Sequence, residues 1–179
     1  MIKIETEFDG LIGILPQVWK DNRGYFFEAY QKDKFKELGI DTDFIQDNQS
    51  FSKKDVVRGL HLQTDPHAQA KLVRVIKGKV LDIVVDLRKG SKTFGKHYKC
   101  ILSDEKRNLL FVPRGFAHGF TALEDTIFEY KCDNIYHKES EKGIIWNDPT
   151  LNIDWEVTSP IISDKDLSLQ TFEEFIKEY

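Results

Sequence analysis

Residues 71–87 constrain this chain more than any other stretch. Lys71 to Lys77 and Lys79 to Leu87 are β-rich runs separated by a single glycine in Lys77-Gly78-Lys79. That joint predicts a tight turn between two antiparallel strands. In the second run Leu81, Ile83, Val85 and Leu87 recur at period two, while Asp82 and Asp86 fall on the other face. The pattern predicts a strand with its apolar side inward and its aspartates outward. Further short runs are Val56 to Gln63, Tyr98 to Leu102, Leu109 to Val112, Phe116 to Leu123 and Thr126 to Cys132. Many short strands broken by turns, with no repeat or linker, predict an all-β jelly-roll, a sandwich or barrel. Its 179 residues suit one domain, 1–179, large enough to bury a core. Helices are expected only at the periphery. Asp33 to Leu38 is a short one stopped by Gly39, and Thr171 with Glu174 forms a capping box opening Phe172 to Lys177.

Charge and composition exclude several classes. The formal net charge is -4, so the basic footprint of a nucleic-acid binder is missing. No run approaches the roughly 20 apolar residues of a membrane span. The start, Met1-Ile2-Lys3-Ile4-Glu5, lacks the apolar core of a signal peptide. Cys100 and Cys132 are too few for a disulfide framework or a zinc site and read as half-buried free thiols. A cytoplasmic location is the expectation.

Polar clusters interrupt the apolar strands, and function is expected there. They are Arg58-Gly59-Leu60-His61-Leu62-Gln63, Lys71-Leu72-Val73-Arg74, and Pro113-Arg114-Gly115-Phe116-Ala117-His118-Gly119-Phe120. Strict alternation puts Arg58, Leu60 and Leu62 on one face and His61 on the other, unless Gly59 marks a bulge. In Phe128-Glu129-Tyr130-Lys131, Phe128 and Tyr130 share a face. Taken singly, each residue reads as a satisfied core or surface group. Together, two His, a Tyr, a Lys and an Arg inside a barrel need partners or a ligand. A metal site is not expected, because Gln63 stands where a His-x-His pair needs its second histidine, and Gln is a poor transition-metal ligand. Two histidines without a metal suit proton transfer near neutral pH.

These segments, in order with Arg23-Gly24-Tyr25-Phe26-Phe27-Glu28, Gln46-Asp47-Asn48, Thr93-Phe94-Gly95, Tyr130-Lys131 and Trp146-Asn147-Asp148-Pro149, resemble the dTDP-4-dehydrorhamnose 3,5-epimerase family from about Arg23 to Asp166. The resemblance implies a cupin-type jelly-roll and a homodimer with no cofactor, acting on a dTDP-sugar. It implies that His61 is the general base, oriented by Asp166, with Asp164 as the nearby alternative. Tyr130 would return a proton on the opposite ring face, and Lys71, aided by His118, would stabilise the enolate. Arg23, Glu28, Gln46, Asn48 and Arg58 would contact the nucleotide and diphosphate, Arg23 and Glu28 from the partner subunit. Glu141 and Lys165 match further binding positions. Ala70 and Leu62 depart from the family's usual glycine and aromatic. Single-centre epimerases, a metal-dependent oxygenase and a noncatalytic sugar-nucleotide binder are the competing classes.

Overall fold

The structure is a computed structural model describing residues 1–178; Tyr179, the last residue of the expected domain, lies outside them. Two antiparallel sheets face each other. The first runs β1 (Ile2–Glu5), β2 (Ile12–Leu15), β10 (Leu109–Val112), β7 (Lys71–Lys77), β12 (Thr126–Cys132), β5 (Gln46–Ser52). The second runs β13 (Glu141–Gly143), β6 (Val57–Gln63), β11 (Phe116–Ala122), β8 (Lys79–Asp86), β9 (His97–Ser103). The hairpin of β3 (Val18–Asp21) and β4 (Gly24–Phe27) forms a separate two-stranded sheet. The jelly-roll expectation holds.

One turn is corrected. The strands flanking Gly78 do not pair: β7 lies between β10 and β12, and β8 between β11 and β9. Gly78 therefore carries the chain across from one sheet to the other. Its φ of +90° favours glycine, and a Cβ there would sit 2.5 Å from the Asp125 carbonyl oxygen.

The polarity of β8 is also reversed from expectation. Val80 and Val84 point between the sheets, joining Val73, Val75, Leu110, Phe116, Phe120 and Phe128 in the central core. Asp82 shares their parity and is fully buried, as is Asp86. The opposite face, with Leu81, Ile83, Val85 and Leu87, packs outward against a second core containing Trp155, Phe172 and Phe175. The strand is buried on both sides, because the C-terminal segment covers the back of its sheet. Period two was legible, but which face met the interior was not. Asp86 is stabilised at the strand end. It accepts from Arg88 Nε at 2.9 Å, Ser91 Oγ at 2.5 Å and Thr93 Oγ1 at 2.6 Å.

The helices α1 (Lys32–Glu37), α2 (Asp164–Leu167) and α3 (Phe172–Glu178) are peripheral. The capping box is present: Glu174 N–H donates to Thr171 Oγ1 at 3.3 Å, and Thr171 N–H to Glu174 Oε2 at 2.8 Å. Among the described residues, no helix is long and apolar enough to cross a membrane.

Candidate active site

His61 reaches the space between the sheets because β6 bulges. His118 pairs with His61 and Phe120 with Arg58, so two residues of β6 span what one residue of β11 spans. Arg58 and His61 therefore share the inner face, with His118 and Phe120 opposite them. Strict alternation would have separated them. The strands also approach closely there. A Cβ on Gly59 would lie 2.6 Å from Gly119 Cα, and one on Gly119 would lie 2.6 Å from the Arg58 carbonyl oxygen.

His61 Nε2 meets Asp166 Oδ1 at 2.7 Å. Asp166 is 4% exposed, and its second oxygen accepts the Gly59 N–H at 3.2 Å. Ser163 caps α2 by accepting the Asp166 N–H at 3.2 Å, which sets the aspartate's position. Burial pushes the Asp166 carboxyl up, but the His61 bond and charge, the Gly59 N–H and Lys165 outweigh it and hold it below the ordinary range. An ionised carboxylate only accepts. Nε2 of His61 therefore carries a proton towards Asp166, and Nδ1 is the ring nitrogen that Asp166 leaves open.

The other sheet supplies the facing wall. Lys71, Val73 and Val75 of β7 point inward, while Arg74 turns outward to Glu129 at 2.9 Å. Phe128, Tyr130 and Cys132 line the inner face of β12. Register sets Cys132 between Gln46 and Lys71, and Tyr130 between Asn48 and Val73. Among the described residues, neither a hydrogen bond nor an ion pair engages Lys71 Nζ; it lies 5.8 Å from the Tyr130 ring centroid. Burial lowers its pKa, opposed in part by Cys132, Asp82 and Glu141. Burial raises that of the Tyr130 phenol, so it stays protonated at neutral pH. Cys132 is fully buried rather than half-buried, and its thiol is pushed up to about 11. Cys100 is partly buried.

Behind this space His118 Nε2 meets Asp82 Oδ2 at 2.8 Å, both side chains being buried. The His118 ring stacks on Phe128 from the other sheet at 6.0 Å. Asp82 Oδ1 is buried with no hydrogen-bond partner among the described residues. Among these residues no group of three or more His, Cys, Asp or Glu is placed to hold a metal ion.

A profile of the dTDP-4-dehydrorhamnose 3,5-epimerase family matches residues 5–174. The chain belongs to that family. It is 50% identical over 167 residues to dTDP-4-dehydrorhamnose 3,5-epimerase of Methanothermobacter thermautotrophicus, covering 91% of this chain and 90% of that one. The crystal structure of dTDP-4-dehydrorhamnose 3,5-epimerase from Elizabethkingia anophelis matches with TM-score 0.93 at 48% identity, covering 97% of each chain. A Legionella pneumophila dTDP-6-deoxy-D-glucose-3,5-epimerase, solved with dTDP-4-keto-L-rhamnose, matches with TM-score 0.94 at 43% identity over 99% and 95% of the two chains.

In this member of the epimerase family the remaining expected residues fall into two groups. Gln46, Asn48, Arg58, Glu141 and Lys165 gather round the His61 and Tyr130 walls. Gln46 Nε2 donates to Asn48 Oδ1 at 3.0 Å, and Asn48 Nδ2 to Cys132 Sγ at 3.7 Å. Arg58 Nε donates to Ser52 Oγ at 3.0 Å. Lys165 Nζ donates to Glu141 Oε1 at 2.6 Å. Arg23 and Glu28 stand apart from this group. Arg23 caps the exposed β3–β4 turn, paired with Asp21 at 2.6 Å and 86% exposed; Glu28 pairs with Lys34. Tyr136 was missed by the sequence reading. Its hydroxyl donates to Glu141 Oε2 at 2.7 Å and its N–H to Gln46 Oε1 at 3.1 Å, which joins the two walls. It lies in an irregular segment with no periodic signal to mark it.

Proposed function

We propose that the chain epimerises carbons 3 and 5 of dTDP-4-dehydro-6-deoxy-D-glucose to give dTDP-4-dehydro-L-rhamnose. The observation that carries this reading is His61 of one sheet, held by Asp166 of α2, facing the neutral Tyr130 of the other sheet and Lys71, which among the described residues has no ion pair. His61 Nδ1 takes the proton from a carbon beside the ketone. Asp166 holds the ring and stabilises the imidazolium that forms, as the aspartate of a hydrolase triad does. Electron density moves onto the ketone oxygen, and the Lys71 ammonium, which has no ion pair among the described residues, stabilises that enolate. One such preorganised donor contributes about 2.7–4 kcal/mol, and a positioned base about 10²–10⁴ in rate. Tyr130 then donates its proton to the opposite face of the carbon, which inverts it. His61 then gives its proton to solvent and the Tyr130 phenolate takes one back, so the same steps can act at the second carbon and complete the reaction.

His118, backed by Asp82, supports the enolate side. Gln46, Asn48, Arg58, Glu141 and Lys165 bind the nucleotide and diphosphate, Arg58 through the bidentate geometry that guanidinium offers phosphate. Arg23 and Glu28 act from the other subunit of a homodimer, consistent with their position on an exposed hairpin and the segment after it. The enzyme works in the cytoplasm, where nucleotide-activated sugars are made.

The test is incubation with dTDP-4-dehydro-6-deoxyglucose in heavy water, following carbons 3 and 5 by NMR, with His61→Ala alongside. Deuterium entering both carbons, and absent in the variant, is expected. Exchange at one carbon alone makes the chain a single-centre epimerase, and exchange at neither returns it to a sugar-nucleotide binder.

A further inference from the structure

Among the described residues the β3–β4 hairpin pairs with no other strand, yet a side chain from the body of the molecule grips it. Arg107, in the turn between β9 and β10, lays its guanidinium over the Tyr25 ring, 3.8 Å from the centroid. The arginine is itself held in place. Its φ is +56°, its N–H donates to the Ser103 carbonyl at 2.8 Å, and its guanidinium donates to the Glu105 carbonyl at 2.8 Å. Its Nε is buried with no acceptor among the described residues. A buried, unsatisfied donor is costly and calls for a reason. Stacking on Tyr25 supplies one, since a flat guanidinium against an aromatic face is a favourable contact. Tyr25 pairs with Lys20, one rung from the Asp21–Gly24 pair that closes the turn. Arg107 thus grips the hairpin next to Arg23.

We propose that Arg107 is a positioning residue, latching the hairpin so that Arg23 meets the substrate's diphosphate in the site of a second copy. This rests on the reading of Arg23 as a binding residue across a homodimer. Among the described residues Arg23 is tied only to Asp21 in its own turn, so no other described residue at the tip fixes its direction.

The experiment measures dTDP binding by calorimetry, and KM and kcat in the heavy-water assay, for the full chain. Arg107→Ala is expected to weaken dTDP binding and raise KM by roughly 2–30-fold, the range of a cation–π contact, with kcat unchanged. Arg107→Lys should recover part of the loss. Tyr25→Phe, which keeps the ring, should match wild type, and Tyr25→Leu should match Arg107→Ala. Tyr25 is 56% exposed, so the Tyr25 changes test the latch without disturbing the core. In an Arg23→Ala background, Arg107→Ala should add nothing. Wild-type dTDP affinity in Arg107→Ala, or an equal further loss in the Arg23→Ala background, overturns the latch. Unchanged dTDP binding in Arg23→Ala overturns it together with the binding role of Arg23. Because dTDP binding is read apart from turnover, a wild type that binds but does not exchange deuterium removes the epimerase chemistry and leaves the latch standing.

Discussion

His61 and Asp166 are hydrogen-bonded at 2.7 Å although 105 residues separate them. A two-residue contact therefore decides which nitrogen of His61 is free. In Asp166→Asn the amide can bond to either ring nitrogen state, so the tautomer is no longer imposed and the imidazolium loses its counter-charge. The expected result is a fall in kcat of about 10²–10⁴ with KM little changed. Steady-state epimerisation rates check it, and a kcat within two-fold of wild type would remove Asp166 from the mechanism.

Tyr130→Phe should uncouple exchange from inversion. His61 can still remove a proton and return it, or a deuteron, to the same face. The opposite face has lost its donor. Deuterium should enter the recovered substrate while product forms at least about ten-fold more slowly. Equal slowing of both processes would mean that Tyr130 does not act as the second proton carrier.

Lys71 should govern the alkaline limb of the pH–rate profile. Its pKa is lowered by burial, so it loses its charge below the ordinary lysine range of about 10.4. Tyr130 is shifted the other way and remains protonated. Activity should therefore fall at a pH below that of free lysine, and Lys71→Arg should lack this limb because guanidinium keeps its charge. An unmoved limb in the variant would assign it to another group.

Asp86 should confer acid-sensitive stability. Its carboxyl is lowered to about 2, the hydrogen bonds from Arg88, Ser91 and Thr93 outweighing burial. Unfolded, it titrates near 3.9. The stabilisation is fully present above that value and is lost as pH falls towards 2, about 2–3 kcal/mol in all. Denaturation of Asp86→Asn should show a deficit of that order at pH 7, shrinking below about pH 4 as the wild-type group protonates. A deficit independent of pH would contradict the charge-based account.

Gly119→Ala should destabilise by on the order of 3–5 kcal/mol. The added methyl would sit 2.6 Å from the Arg58 carbonyl oxygen, and backbone cannot swing aside as a side chain can. Urea unfolding of the soluble fraction measures this directly.

The central strands were legible because β-rich runs such as Lys71 to Lys77 and Thr126 to Cys132 stand out between turns, with period two clearest in Lys79 to Leu87. The strands β1 to β4 and the short β13 were not, since runs of three or four residues carry too few repeats of the pattern, and the seven-residue β5 is polar at all but Phe51 and shows no alternation. Alternation says which residues share a face but not what covers it, so Asp82 was assigned outward and proved to be buried beside His118. Gly78 looks like a hairpin turn because a turn and a sheet-crossing corner require the same positive φ. At the site, His61, Lys71, Tyr130 and Asp166 were reachable through motif order, and geometry selects Asp166 over Asp164 as the His61 partner. Tyr136 and Arg107 each reach a residue far away in sequence, Gln46 and Tyr25, and such contacts leave no local pattern.

The placement of Asp166 on α2 also has a consequence during synthesis. At roughly 5–20 residues per second, a ribosome releases His61 about 5–20 s before its aspartate. Until then the imidazole has no imposed tautomer and the Gly59 N–H no carboxylate to bind. A nascent or truncated chain ending before α2 would carry His61 and the residues of both walls without the aspartate that orients the ring. On the proposed mechanism, the full rate of proton abstraction is thus withheld until α2 has been made.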